Sequence, residues 1–388
     1  MEQNQLAVKL TQQMVRIDST NPGTGEKGME QFLLSFGQEL QNTNDRVTIR
    51  TEEVLPGRNN VMLSLPGKEE KPECIFICHM DTVPAGSGWE EDPFSGEIRG
   101  NRLYGRGSCD MKSGFACALS AFQSAAEHFR DGNMAGRTLK VIGTVDEEGN
   151  MAGAEKAIES GWIARDSLVL DMEPTNGELQ AAHKGRLWFE ISVEGITAHA
   201  ATPWKGADAI AAMAEVISSI RKDFTQLARH PQMGASTVSF GRISGGSQPY
   251  VVSEQCTVTV DMRLVPPYTK EDGEHMVKKA AEEAEKAVPK AKVTYRITGD
   301  RPAIEMDETS ELFSRLQDSC RKVEGRPAET GVFPGYTDTA VIAGKLGNTH
   351  TISYGTVDLE LAHKPQESVP IADILRCENV LKELVRNL

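Results

Sequence analysis

The sequence lacks the features that define several large protein classes. Lysine and arginine number 42 against 56 aspartate and glutamate residues, which gives a net charge of −14 over 388 residues. Nucleic-acid binding and docking on anionic membranes both need basic surface, so we expect neither partner. No run approaches the roughly 18 apolar residues of a transmembrane helix. The first residues, MEQNQLAVKL, lack a basic segment followed by an apolar one, so we expect no signal peptide.

Cysteine is also sparse, with seven residues, an odd number, and no Cys-x-x-Cys pair. A secreted disulfide framework is a poor fit, so we predict a reducing, cytoplasmic location. The phosphate-binding loop G-x-x-x-x-G-K-[ST] and the G-x-S-x-G elbow are absent, which argues against a nucleotide enzyme and a serine hydrolase. Cys109 lies beside Asp110, whose charge disfavours the thiolate that a cysteine hydrolase needs.

Strands and helices alternate through the first 180 residues. Apolar spacing predicts helices, and continuous apolar runs predict buried strands in ECIFICHMD, TLKVIGTVDEE and SLVLDMEPT. The predicted helices of this part are 3–16, 28–42, 111–129 and one near 152–160. This order is typical of an α/β domain with a mostly parallel sheet and helices on both faces.

The pattern changes between residues 183 and 300. Half-exposed strands and two helices, 206–229 and 270–287, follow in the order β-α-β-β-α-β, which predicts an α+β ferredoxin-like domain. The α/β pattern then returns with a helix at 308–324, a glycine-rich turn GVFPGYTDT, a strand THTISYG and a helix at 370–387. We therefore predict a catalytic domain of residues 1–182 and 301–388, with a domain of residues 183–300 inserted into it.

Acidic and histidine side chains follow the predicted strands, and Asp110 stands at the start of a predicted helix. Open α/β sheets bind ligands outside the carboxyl ends of their strands, so these side chains should meet at one sheet edge. They are His79, Asp81, Asp110, Asp146, Glu147, Glu148, Glu173 and His363. Carboxylates crowded together raise each other's pKa, whereas a bound divalent cation keeps them ionised.

The donor types narrow the choice of cation. Imidazole and carboxylate without thiolate suit zinc at a catalytic site. Two metal ions roughly 3.5–4 Å apart, bridged by a carboxylate, are a common hydrolytic device. The cluster therefore predicts metal-dependent hydrolysis.

Six spaced motifs resemble one enzyme family. CHMDTVPAG, YGRGSCDMKSG, TVDEEG, DMEPT, GITAHAATPWKGADA and ELAHKPQE occur in the order found in the zinc aminoacylase/carboxypeptidase family, which includes acetylornithine deacetylase, succinyl-diaminopimelate desuccinylase, glutamate carboxypeptidase and di- and tripeptidases. The resemblance covers nearly the whole chain. It implies a metal-dependent amide hydrolase with a catalytic domain and a lid through which two copies form a homodimer.

The resemblance also implies a ligand set for two divalent ions, zinc foremost, with cobalt or manganese as alternatives. His79 and Glu173 would hold one ion, Glu148 and His363 the other, and Asp110 would bridge them.

Two further acidic residues receive roles from the same motifs. The Asp81 carboxylate would hydrogen-bond the free imidazole nitrogen of His79 and fix its tautomer. Glu147 would be the general base that takes a proton from a metal-bridging water and hands it to the leaving amine. Asp146 and Asp171 are the acidic neighbours most easily confused with these residues, and the family pattern favours Glu173 over Asp171.

The inserted domain adds two candidates. His199 matches a family histidine that donates to the carbonyl oxygen under attack, often from the partner subunit. Arg263 matches an arginine that grips the substrate carboxylate. Tyr250 stands where the family commonly has asparagine, so its contact with substrate is not carried over. Thr337-Asp338 reads as a helix N-cap with no catalytic role.

We therefore expect hydrolysis of an amide in a small N-acyl amino acid or short peptide with a free carboxylate. The alternative is a non-catalytic zinc- or peptide-binding module on the same scaffold. Such a module would lack a ligand or the base, whereas the full set is present in this sequence.

Overall fold

A computed structural model describes residues 5–130 and 133–388. The chain forms two compact units. The main unit comprises Met1–Ala181, Met306–Phe333 and Thr337–Leu388, and the inserted unit comprises Ala182–Glu305 and Pro334–Tyr336. Residues 1–4 lie outside the described residues, and with them the start of the helix predicted at 3–16.

The elements of the described residues follow in chain order. The helices are α1 (Leu6–Val15), α2 (Lys27–Gln41), α3 (Ser113–His128), α4 (Ala152–Glu159), α5 (Ala209–Phe224), α6 (Lys270–Ala287), α7 (Glu311–Glu324), α8 (Asp338–Leu346) and α9 (Ile371–Arg386). The strands are β1 (Thr48–Leu55), β2 (Arg58–Leu65), β3 (Glu69–His79), β4 (Ile98–Arg99), β5 (Arg102–Tyr104), β6 (Arg137–Thr144), β7 (Leu168–Asp171), β8 (Leu179–His183), β9 (Gly185–Glu194), β10 (Thr237–Gly245), β11 (Gln255–Leu264), β12 (Lys292–Arg301), β13 (Thr330–Phe333), β14 (Thr351–Ser353) and β15 (Ser368–Pro370).

A large sheet with the order β1-β2-β6-β3-β7-β14-β8-β13 organises the main unit. Its four central strands, β6, β3, β7 and β14, are parallel, whereas β1, β2 and β8 join their neighbours antiparallel. The predicted mostly parallel α/β sheet is therefore confirmed for the centre of the sheet.

The central strand β3 is enclosed on both faces. Every side chain from Cys74 to Cys78 is fully buried, as a continuous apolar run in a covered parallel strand requires. Helix α3 packs against α1 and α9 on the sheet. At Gly114, a Cβ atom would lie 2.1 Å from the carbonyl oxygen of Met172, so only glycine lets the start of α3 approach the end of β7 this closely.

The inserted unit has a four-stranded antiparallel sheet with the order β10-β11-β9-β12. Its strands and two helices follow in the predicted order β-α-β-β-α-β, so the ferredoxin-like arrangement is confirmed. Alternate side chains of β9, from Leu187 to Val193, are buried in a core with residues of α5 and α6. The intervening side chains lie on the opposite, half-exposed face.

Some predicted elements need correction. The turn GVFPGYTDT contains the last three residues of β13 and the start of α8. The sequence pattern did not reveal them because both elements are short and lie among glycine and proline. Strands β8 and β15 have too few residues for an alternating pattern. The helix predicted at 206–229 is α5, which begins after Asp208, whose Oδ1 accepts hydrogen bonds from the backbone N–H groups of Ile210 and Ala211.

Candidate metal centre

Parallel strands deliver the predicted ligands to one edge of the main sheet. His79 is the last residue of β3, Glu147 and Glu148 follow β6, and Glu173 follows β7. In the strand register His79 lies beside Thr144 of β6. Because the three strands run parallel, their carboxyl ends and the residues that follow them share this edge.

Asp110 lies between two imidazole rings. Its Oδ1 is 2.9 Å from Nε2 of His79, and its Oδ2 is 3.3 Å from Nε2 of His363. The Asp110 side chain is buried, whereas half of the His363 side chain is exposed. Asp110 thus presents one carboxylate oxygen to each of two histidines that are far apart in the sequence.

One further carboxylate accompanies each histidine. Glu148 Oε1 is 3.3 Å from Nε2 of His363, and Glu173 Oε1 is 3.9 Å from Nε2 of His79. Two sets of three residues could each hold a metal ion, because the ligand atoms within each set lie no more than 4.8 Å apart. The sets are His79, Glu147 and Glu173, and His79, Asp110 and Glu148. All five predicted ligands and the predicted base therefore lie together.

Asp81 contacts His79 differently from the prediction. Nδ1 of His79 lies 2.9 Å from the backbone carbonyl oxygen of Asp81 and 3.7 Å from its carboxylate. The predicted bond from imidazole to carboxylate is therefore wrong, because the carbonyl accepts the Nδ1 proton. The carboxylate instead accepts hydrogen bonds from the side chain of Asn21 and the backbone N–H groups of Glu147 and Glu148.

These contacts give Asp81 two separate effects. Its carbonyl accepts the proton on Nδ1 of His79, so Nε2 is the ring nitrogen that faces Asp110. With a proton, Nε2 donates to that carboxylate, and without one its lone pair would be free for a cation. Its carboxylate fixes the loop that carries Glu147 and Glu148. The sequence pattern did not single out Asn21, which also donates to Asp146.

The pKa values of the cluster are shifted because several acidic side chains are buried close together. Burial and neighbouring carboxylates raise the pKa of Glu147 and of Glu173 well above the usual value. Burial alone would also raise the pKa of Asp110, but hydrogen bonds from His363 and His79 lower it below the usual range. Hydrogen bonds to Asp110 and Glu148 raise the pKa of His363 to about 10. In the absence of a cation, protons on the histidines and carboxyls offset the acidic charge.

The two acidic neighbours that could be confused with ligands have other partners. Asp171 lies 3.4 Å from the backbone N–H and the hydroxyl of Thr339. Asp146 accepts from Asn21 and from the backbone of Asn150. Among the described residues, neither belongs to a candidate group of ligand atoms.

The inserted unit holds the remaining candidates. His199 is exposed, and its Nδ1 accepts a hydrogen bond from the backbone N–H of Ala201. The backbone of Val251, next to Tyr250, forms a bridge with His199. Nε and Nη2 of Arg263 donate to the two carboxylate oxygens of Asp261, at 2.8 and 2.9 Å.

Comparisons with known proteins identify the family of the chain. Residues 75–387 match Peptidase family M20/M25/M40. The chain belongs to this family. It is 29% identical over 336 residues to the acetylornithine deacetylase of Photorhabdus laumondii, which covers 85% of this chain and 83% of that protein. The acetylornithine deacetylase of Buchnera aphidicola is 26% identical over 346 residues, 86% of this chain and 85% of that protein.

Solved structures share the fold. The aminopeptidase PepT of Bacillus cereus has a TM-score of 0.79 at 20% identity, with 99% of this chain and 98% of that chain covered. A dinuclear metal-binding M20 peptidase of Bacillus subtilis has a TM-score of 0.73 at 16% identity, with 100% and 99% covered.

Membership of the M20/M25/M40 family confirms the predicted class of activity. The protein is a hydrolase of the metallopeptidase and deacetylase type, which favours the catalytic prediction over the non-catalytic alternative. Within the ranges 5–130 and 133–388, no helix combines the length and apolar character needed to cross a membrane.

A buried ion pair behind Asp110 is a feature of this M20/M25/M40 enzyme that the sequence prediction missed. Oε1 of Glu367 accepts the backbone N–H groups of Cys109 and Asp110, at 2.8 and 3.1 Å, and Oε2 pairs with Nη1 of Arg106. Arg106 also donates to the carbonyls of Pro84 and Ala85. Arg106 lies in the motif YGRGSCDMKSG and Glu367 in ELAHKPQE. The motifs therefore contain both residues, but nothing in the sequence indicates that the two form a pair.

Replacing Glu367 should destabilise the protein strongly. Glu367→Gln leaves the buried Arg106 guanidinium without its counter-charge, and we expect unfolding free energy to fall by about 3 kcal/mol or more. Denaturant unfolding followed by circular dichroism measures this loss. Glu383→Gln, which removes a carboxylate paired with the exposed Lys322, is the control and should cost less than about 1 kcal/mol. Similar losses in the two variants would contradict the expected result.

Proposed function

We propose that the protein is a two-metal amide hydrolase that acts on small N-acyl amino acids or short peptides with a free carboxylate. The observation that carries the proposal is the carboxylate of Asp110, which presents one oxygen to each of two imidazoles, His79 and His363. The names of relatives and neighbours, acetylornithine deacetylase and aminopeptidase, support this substrate class, since both act on an amide next to an amino-acid residue.

The residues present fit two divalent cations. His79 and Glu173 would hold one, His363 and Glu148 the other, and Asp110 both. The donor set is imidazole and carboxylate, so we propose Zn²⁺, with Co²⁺ or Mn²⁺ as ions that the same donors accept. When bound, such ions lower the pKa of water and polarise a carbonyl group.

Glu147 is the proposed general base. It lies within the cluster but is not needed as a ligand. Each of the two proposed ion positions already has one histidine, one other glutamate and Asp110. Its backbone N–H is fixed by the carboxylate of Asp81, which orients the loop. The Glu147 carboxylate would accept a proton from the attacking water and deliver it to the nitrogen of the leaving amine.

The inserted unit, residues 183–300 in our domain division, is the proposed lid of a catalytic domain formed by residues 1–182 and 301–388. His199 would donate a hydrogen bond to the developing oxyanion, and Arg263 would add positive charge for the substrate carboxylate. We place the enzyme in the cytoplasm, since all seven cysteines are free and buried.

Glu147→Gln should lower turnover strongly without loss of metal. Removal of a general base costs about 10²–10⁴ in rate. The assay uses a panel of N-acetyl amino acids and dipeptides on zinc-loaded protein. Metal content by atomic absorption and the thermal unfolding midpoint should match the wild type. Turnover retained in Glu147→Gln at full metal content would exclude Glu147 as the base.

Metal should stabilise the protein more as the pH rises. The pKa of Glu173 is raised in the folded state, so ionisation of its carboxyl destabilises the fold. Its effect on the free energy of unfolding therefore becomes less favourable as pH rises. His363 contributes stability that is complete below its unfolded pKa of about 6.5 and is lost as pH approaches its folded pKa of about 10. Bound cations replace these protons, so metal binding releases them.

The corresponding measurement is the thermal unfolding midpoint of chelator-treated and zinc-loaded protein. We expect the difference between the two midpoints to be larger at about pH 8 than at about pH 5.5. Equal differences would show that the cluster does not bind metal in competition with protons.

We also propose that two copies form a homodimer through the inserted unit. Large apolar side chains are exposed there, with Trp204, Ile243 and Tyr250 between 57% and 73% exposed. Sedimentation velocity should therefore report a dimer, and Ile243→Lys should shift it to monomer. A fully active monomeric wild type would contradict the proposed dimer.

A further inference from the structure

Three arginines form a row across the sheet of the inserted unit. In the strand register Arg263 of β11 and Arg301 of β12 each lie directly beside Arg186 of β9. The next residue of β9, Leu187, is buried toward the helices, so Arg186 lies on the opposite, half-exposed face. Like charges placed directly across neighbouring strands repel one another. The row therefore concentrates positive charge on one face of the sheet.

Arg263 already has a carboxylate partner on this face. The two oxygens of Asp261 accept hydrogen bonds from its Nε and Nη2, which are the two donors that would form a bidentate contact with a ligand. To grip a substrate carboxylate with this pair of donors, Arg263 would have to release Asp261. The arginine that the sequence pattern indicates is thus engaged elsewhere.

Arg186 is held differently. Its guanidinium carbon lies 4.2 Å from the ring centre of Trp188 and 5.6 Å from that of Tyr336. Gly299 lies beside Trp188, where a Cβ atom would be 3.1 Å from the indole ring, so glycine leaves room for this ring. Stacking on aromatic rings orients a guanidinium while its edge stays available for hydrogen bonds.

Two buried side-chain donors, one on Arg186 and one on Trp188, have no acceptor. Nε of Arg186 and Nε1 of Trp188 are both buried and have no hydrogen-bond partner. Buried polar groups in folded proteins nearly always have one, so two unmatched donors on stacked side chains indicate a place for the acceptor oxygens of a ligand. Burial, together with the charges of Arg263 and Arg301, also lowers the pKa of Arg186, and a bound anion would offset that repulsion.

We propose that Arg186, with the indole N–H of Trp188, is the receptor for the carboxylate of the substrate, and that Arg263 supports it through charge while bonded to Asp261. The inference rests on the proposed function and specifies which residues select an acidic substrate. A free phosphate offers similar acceptor oxygens, so the experiment includes it as a separate probe.

The test measures binding and turnover on the zinc-loaded full chain. Calorimetry with N-acetyl amino acids and dipeptides, each as the free acid and as the C-terminal amide, identifies the best ligand of the wild type. Arg186→Lys keeps the charge but loses the planar donor set, and Trp188→Phe keeps the ring but loses its N–H. Arg296→Lys, at an exposed position of the same sheet paired with Glu190, is the matched control.

We expect Arg186→Lys to weaken binding and raise KM of the free acid at least about tenfold, with kcat little changed. The C-terminal amide should bind weakly to the wild type and be unaffected by the substitution. Trp188→Phe should weaken free-acid binding about threefold or more, as loss of one hydrogen bond does. Arg296→Lys should match the wild type.

Other results would overturn the inference. If Arg263→Lys weakens the free acid more than Arg186→Lys does, Arg263 is the receptor. If inorganic phosphate binds more tightly than every free acid and loses its binding in Arg186→Lys, the site serves phosphate. Failure of the proposed function would give a different result. The free acids would then bind to the wild type, and their binding would depend on Arg186, but no substrate would be hydrolysed.

Discussion

The contact of the Asp110 carboxylate with two imidazoles is the interaction on which the candidate site depends. Each oxygen meets one histidine, and a glutamate accompanies each histidine. The arrangement has two symmetrical halves that share one buried negative charge. Protons and divalent cations both offset this charge, and the raised pKa values of His79, His363 and Glu173 reflect the first of these.

The parallel centre of the main sheet makes this contact possible. A shift of one residue between β3 and β6 would turn His79 toward the opposite face of the sheet. The close approach of Gly114 to Met172 brings the turn that carries Asp110 to the end of β7, next to Glu173. Packing of apolar strands and one glycine thus fixes the spacing between charged groups that repel one another.

Long periodic segments were predictable from the sequence, and short ones were not. The continuous apolar run of β3 and the alternation along β9 each carry enough residues to define a period. Helix α8 has nine residues and follows a turn rich in glycine and proline, so local composition favoured a loop. The grouping of His79, Glu147, Glu148 and Glu173 was predictable because the carboxyl ends of parallel strands converge. The role of each residue came from the family resemblance and stays a prediction.

The finer contacts required coordinates. No sequence pattern distinguishes the carbonyl of Asp81 from its carboxylate as the acceptor for His79. The spacing Asp261-x-Arg263 on one strand places both side chains on the same face, and this signal could have revealed their ion pair. The neighbourhood of Arg186 depends on the register of three strands and on a bulge at Gly299, which strand propensity does not determine.

The pairing of Glu367 with the backbone of Asp110 also bears on how the protein is made. These groups are 257 residues apart, and Glu367 follows His363 by only four positions. During synthesis, a ribosome-bound chain can form β3, β6 and β7 long before it contains the segment that completes the centre. Until that segment emerges, the acids at the sheet edge have neither the second histidine nor the anchored turn. The complete proposed ligand set therefore requires nearly the whole polypeptide, because a shorter chain lacks His363.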